Sequence, residues 1–154
     1  MIRNLLFSLL FFSGIIFISV IFLPSLFLPK QIVLFGGRLM GKWAGFCLNL
    51  ILSVKILIKG RENIVNDQKF FIAASHQSMF ETFYLQTIFN SPVFILKKEL
   101  LSIPLFGWYL KKIGSISIKR NKVTKDNLGF FEDISKMIKE SARPLIIFPQ
   151  GSRV

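Results

Sequence analysis

Between Arg3 and Lys30 the chain runs for 26 residues, Asn4 to Pro29, without one charged side chain, and Leu, Ile and Phe dominate the run. A segment like this has few places to go in a small protein. Pro24 divides it and leaves about 20 residues ahead, roughly 30 Å of helix, which matches the hydrocarbon thickness of a bilayer. A cleaved signal peptide is the rival reading. The apolar stretch exceeds the usual ~7–15 residues, however, and no A-x-A-like cleavage site follows, so a retained membrane anchor is expected. The next stretch, Gln31 to Leu52, is apolar but carries Arg38, Lys42, Trp43 and several glycines. Arg38 and Lys42 share a helix face and Trp43 suits the headgroup level, which suggests a second helix lying in or re-entering the interface. Residues 1–60 hold six basic residues and no acidic one, and such charge places the remaining chain on the cytoplasmic side.

Composition narrows the function classes. The chain has 154 residues, 52% of them hydrophobic, with 20 Lys plus Arg against 8 Asp plus Glu, a formal charge of +12. That is one domain with a real core, too apolar for a disordered basic tail. One cysteine, Cys47, excludes a disulfide framework, and with one histidine it excludes a His/Cys zinc cluster. The charge asks for an anionic partner. High apolar content and the lack of a nucleic-acid motif favour lipid over nucleic acid.

From Val54 the pattern changes. Val54, Ile56 and Ile58 alternate with Lys55, Leu57 and Lys59 as in a half-solvated strand, stopped by Gly60. Phe70 to Ala74 fits a short buried strand, Met79 to Phe89 a helix, and Pro92 to Leu96 the next strand. Leu100 to Lys112 reads as helical despite Pro104, and Ile113 to Ile118 as another strand. Thr124 is placed to cap a helix carrying Leu128, Phe131 and Ile138, and Pro144 introduces an apolar strand, Leu145 to Phe148. Strands alternating with helices imply a layered α/β domain with a mostly parallel sheet, residues 53–154, behind membrane-anchoring helices in 1–52.

The only histidine lies in Ser75-His76-Gln77-Ser78-Met79-Phe80-Glu81, after a strand and at a helix start. A carboxylate five residues on can accept the Nδ1–H of His76, leaving Nε2 as a base. The same spacing also makes Ser78-x-x-Glu81 a capping box, in which both residues serve the backbone. Alone the pattern leaves both readings open. Ser75 and Ser78 flank His76, but no hydrolase-type elbow supports a serine nucleophile. Two further segments carry cations or backbone N–H groups at strand ends, the apparatus for gripping phosphate. One runs Lys97-Lys98-Glu99-Leu100, Pro104, Gly107, Gly114 and Lys119-Arg120; the other is Phe148-Pro149-Gln150-Gly151-Ser152-Arg153. Lys111, Lys112, Lys122 and Lys125 read as solvated surface charges that serve anionic lipid in general.

Together these segments resemble the 1-acyl-glycerol-3-phosphate acyltransferase family over roughly residues 30–154. The family's H-x4-D motif is met by His76 to Glu81, with glutamate for aspartate. Its K-x-E-L, P-x-x-G and G-x-x-x-x-x-R elements are met from Lys97 to Arg120. Its F-P-E-G-T-R motif is met by Phe148 to Arg153, with Gln150 and Ser152 substituted. The resemblance implies an O-acyltransferase passing an acyl chain from acyl-CoA or acyl carrier protein to lysophosphatidate, giving phosphatidate. It implies His76 as general base, Glu81 in the aspartate's role, and Lys97, Lys98, Arg120, Gly151, Ser152 and Arg153 around the acceptor phosphate. No metal or other cofactor is implied, because a thioester is already activated. The expected place is a membrane, with the site facing the cytoplasm, which is the inner membrane if the source is bacterial. Two alternatives stand beside this: an acyltransferase of the same family using glycerol-3-phosphate or another lysolipid, and a truncated, non-catalytic, membrane-bound basic protein. Family members continue well past the third motif. The expectation is therefore a domain lacking its C-terminal part, with the Leu145 to Phe148 strand left uncovered at one edge and poor turnover by the 154-residue chain alone.

Overall fold

The computed structural model describes residues 2–64, 70–89, 91–118, 126–141 and 143–150. Helix α1 spans Ile2–Ile21, and with Pro24 in the following 3-10 turn (Leu23–Phe27) the chain reverses into α2, Lys30–Leu52. Among the described residues α1 is the one helix long and apolar enough to cross a membrane; only Phe11 and Ile18 of it are buried. Helix α2 closes at Ser53 in the left-handed conformation, with Val54 N–H donating back to Leu48 O at 3.2 Å.

The second helix lies between α1 and α3 (Phe80–Ile88). Glycines four apart make this packing close. A Cβ on Gly37 would strike Gln86, on Gly41 the Phe83 carbonyl, and on Gly45 the Tyr84 ring. Trp43 packs its indole over Gly14 of α1, inside the helix pair. Arg38, expected at the interface, turns inward and donates to Ser91 Oγ at 2.9 Å.

Four short strands, β1 (Phe71–Ala73), β2 (Val93–Lys97), β3 (Ile116–Ile118) and β4 (Leu145–Ile147), form one parallel sheet in the order β1-β4-β2-β3. The α/β class with a parallel sheet is as expected. Side chains alternate across it. Phe94, Leu96, Ile146 and Phe148 join Val33 and Leu34 of α2 and Tyr109, Leu110 and Ile113 in one core. Val93, Ile95, Ile116 and Leu145 form the other, against Ile134 of α5 (Asp126–Glu140). Both faces of the central strands are thus covered, which is why they read as continuous apolar runs.

Four expectations need correction. Residues 54–58 form no strand: Ile56 packs toward Gly45 of α2, while Val54 and Ile58 stay exposed. Strand β1 is not buried but lies at the sheet edge, with Phe71 72% exposed. The edge expected to be uncovered is paired, because β4 inserts between β1 and β2, strands that precede it in the chain. Finally, Leu100 to Lys112 is not one helix. A 3-10 turn, Lys98–Ser102, ends before Pro104, and α4 begins afresh at Phe106–Lys112. Proline lacks the N–H and disfavours helix at the residue before it; Ile103 is accordingly extended at φ −71, ψ 123.

Two glycines of that region act through the backbone. Gly114 has φ +76, which an L side chain rarely adopts, and it cuts the expected Ile113–Ile118 strand to Ile116–Ile118. Gly107 lies so close to the Leu101 carbonyl that a Cβ there would collide with backbone. Gly107→Ala should therefore cost about 1–3 kcal/mol, as overpacking does. Gly129→Ala, in α5 with nothing within 4 Å, should be neutral or slightly stabilising. Thermal unfolding of both in detergent checks this, and equal midpoints would refute the close-approach argument.

Candidate active site

Parallel pairing sends the carboxyl ends of all four strands to one side, where α/β sheets collect their sites. Ala73 pairs with Ile147, and His76 and Gln150 each lie three residues beyond that pair. Ala74 N–H still donates to Ile147 O at 2.9 Å, so both loops leave the sheet at the same level. Lys97 ends β2 and Lys98 opens the following turn, both exposed.

His76 Nδ1 lies 2.9 Å from Glu81 Oε1, the second residue of α3. The same oxygen accepts the backbone N–H groups of Gln77 and Ser78, each at 2.7 Å, while Oε2 accepts the Ser78 hydroxyl at 2.6 Å. Ser78 Oγ in turn accepts Phe80 N–H at 3.0 Å. The two readings of Ser78-x-x-Glu81 are therefore not exclusive. Glu81 ties down the loop backbone and holds the imidazole with the same carboxylate.

Partial burial works to raise the Glu81 pKa, but hydrogen bonds from the Ser78 hydroxyl and N–H and from His76 outweigh it and hold the carboxyl at about 2. An ionised carboxylate only accepts, so Nδ1 is the donor, and in the neutral ring Nε2 is the nitrogen with the lone pair. Nε2 makes no hydrogen bond to the described residues. The ring rests on Phe148, centroids 4.6 Å apart, and Phe148 stacks on Phe94 in the core. His76 and Glu81 keep about a fifth of their side-chain surface open, 21% and 19%. The result is a fixed, partly accessible base on a rigid floor.

Gln150 Nε2 donates to Ser75 Oγ at 3.4 Å, joining the two loops beside His76. The Phe148 floor and this bridge escaped the sequence, since both depend on β1 and β4 being neighbours. Arg120, Gly151, Ser152 and Arg153 lie outside the described residues, as do Lys119, Lys122, Thr124 and Lys125. Among the described residues no three His, Cys, Asp or Glu side chains gather as metal ligands.

A family profile described as Acyltransferase matches residues 55–154. The chain is 30% identical over 115 residues to the 1-acyl-sn-glycerol-3-phosphate acyltransferase of Pseudomonas aeruginosa, covering 73% of this chain and 44% of that protein. Against the enzyme of the same name from Saccharomyces cerevisiae it is 27% identical over 107 residues, 69% of this chain and 35% of the relative. The crystal structure of the 1-acyl-sn-glycerophosphate (LPA) acyltransferase from Thermotoga maritima superposes with a TM-score of 0.73 at 26% identity, over 99% of this chain and 63% of that one. The chain thus spans less than half the length of these curated relatives.

Proposed function

Because the chain belongs to the acyltransferase family, we propose that it carries the base-bearing part of a membrane enzyme that acylates 1-acyl-glycerol-3-phosphate to phosphatidate. The observation that carries this reading is the His76–Glu81 contact at 2.9 Å, with Nε2 left unbonded among the described residues. Nε2 takes the proton of the free glycerol hydroxyl as its oxygen attacks the thioester carbonyl of acyl-CoA or acyl carrier protein. The tetrahedral intermediate then collapses, the C–S bond breaks, and the imidazolium returns its proton to the departing thiolate. Glu81 stabilises the imidazolium between these steps. A thioester needs no further activation, so no cofactor enters. Lys97 and Lys98, at the same end of the sheet as His76, hold the acceptor phosphate with Arg120, Gly151, Ser152 and Arg153.

The relatives' names support lysophosphatidate as acceptor. Residues 1–52 anchor this site at the membrane and residues 53–154 carry the chemistry on the cytoplasmic side, supported by the apolar α1 and by positive charge following it. Lipid analysis of a strain lacking the protein tests the acceptor. Accumulated lysophosphatidate is the expected result; accumulated glycerol-3-phosphate would move the chain to the earlier acylation.

Glu81 gives a second test. Glu81→Gln should lower acyl transfer at least about 10²-fold, because a neutral amide cannot stabilise the imidazolium, whereas Glu81→Asp should keep most of the rate. The native pKa of about 2 lies below the ordinary 4.5, so the stability Glu81 contributes is fully present above 4.5 and lost as pH falls toward 2. The gap in thermal midpoint between the protein and Glu81→Gln should accordingly shrink on acidification through that window. A wild-type rate in Glu81→Gln would leave Glu81 with a backbone role only.

A further inference from the structure

The turn between Lys98–Ser102 and α4 is strained and exposes apolar side chains. Leu105 sits at φ 61, ψ −62, and Phe106 N–H donates to Pro104 O at 2.7 Å, the geometry of a γ-turn that few non-glycine residues adopt. Around it Ile103 is 44% exposed, Phe106 38% and Trp108 51%. The neighbouring Gly107, Tyr109 and Leu110 are buried, so α4 packs through one face and leaves Phe106 and Trp108 on the open one. Four lysines, Lys97, Lys98, Lys111 and Lys112, flank these apolar residues against one acid, Glu99. Trp108 and Lys111 are three apart on α4 and share a face, an indole with a cation beside it. The element also adjoins the anchor: Tyr109 Oη donates to Ser19 O of α1 at 2.6 Å, and α4 touches the turn bearing Phe27, which is 92% exposed.

We infer that the Ile103–Lys112 segment is a second membrane contact, in which Ile103, Phe106 and Trp108 enter the interface of an anionic bilayer and Lys111 and Lys112 meet its headgroups. Three observations select a bilayer over a protein partner. The segment adjoins α1 through Tyr109 and touches the turn bearing Phe27, the exposed residues of α1 beyond Asn4 are mostly apolar, and the flanking charge is almost wholly positive. Aromatic residues with adjacent lysines suit the headgroup level. Since only the 3-10 turn Lys98–Ser102 separates this segment from the end of β2, such docking would present the carboxyl ends of the strands, and His76, to the lipid surface.

The chain holds two tryptophans, so the test is optical and needs no turnover; its failure would leave the proposed reaction untouched. In Trp43→Phe, reconstituted into vesicles of phosphatidylcholine and phosphatidylglycerol, Trp108 is the sole indole. Its emission should shift to shorter wavelength, be quenched by lipid brominated near the headgroup, and resist aqueous iodide. Should Trp43→Phe misfold, the difference between the unaltered protein and Trp108→Phe reports the same indole. Quenching by iodide without quenching by bromolipid would overturn the proposal. Shielding from both would also overturn it, assigning the turn to a protein contact.

Discussion

His76→Ala is expected to abolish acyl transfer, lowering the rate by at least about 10²–10⁴-fold, the usual contribution of a positioned base. The size of the effect follows from the absence of a substitute. His76 is the only histidine, and no other described side chain combines a free base with a fixed position at this end of the sheet. Stability should change much less. The imidazole is only partly buried, and Glu81 keeps its bonds from Gln77, Ser78 and the Ser78 hydroxyl when the ring is removed. Vesicle binding should not change, since α1 is untouched. The measurement is transfer of a labelled acyl chain to lysophosphatidate, with thermal unfolding and vesicle sedimentation in parallel. A parallel loss of folding or membrane binding would make His76 structural.

Arg143→Met should produce the largest loss of stability, about 3–5 kcal/mol. The guanidinium spans three carbonyls: Nε donates to Ser91 O at 2.6 Å, Nη1 to Ile113 O at 2.6 Å and Nη2 to Pro92 O at 3.0 Å. It thereby ties the segment just ahead of β4 to the start of β2 and the end of α4. Burial pulls its pKa down to about 10, so it remains charged at neutral pH. Methionine fills the space but leaves all three carbonyls unpaired, in surroundings where Ser91, Pro92 and Ile113 are buried. Arg143→Lys should recover only part of the loss, because a point-like ammonium cannot match a planar fork. Denaturant unfolding in detergent measures both. A loss below about 1 kcal/mol in Arg143→Met would show that the carbonyls find other donors.

Ser91 shows why this anchor was invisible beforehand. It is buried at φ +63, its carbonyl bound by Arg143 and its hydroxyl by Arg38. The sequence separations are 52 and 53 residues, and nothing in the composition around either arginine distinguishes it from a solvated one. Arg38 in particular read as an interfacial charge because its helix neighbours are apolar. The alternating Val54 to Ile58 segment misleads too: a period of two signals a strand only where neighbours pair with it, and here Ile56 alone of the three apolar residues is partly shielded.

Features set by neighbours within a few residues were legible from the chain alone. The uncharged run to Pro29 dictates an apolar helix, alternation of apolar runs with helical periods dictates an α/β sheet, and the five-residue spacing from His76 to Glu81 brings a base and its carboxylate together across the short loop that opens α3. Features that depend on which distant segments meet were decided by tertiary structure. The insertion of β4 between β1 and β2 sets Phe148 beneath His76 and Gln150 beside Ser75, and the close approach of α2 to α3 uses Gly37, Gly41 and Gly45 as a contact surface. The physical reason is that local spacing constrains dihedral angles and adjacent side chains directly. Strand order and a buried guanidinium's partners follow only from how the whole core closes, where apolar runs of similar length and character could each have occupied the centre of the sheet.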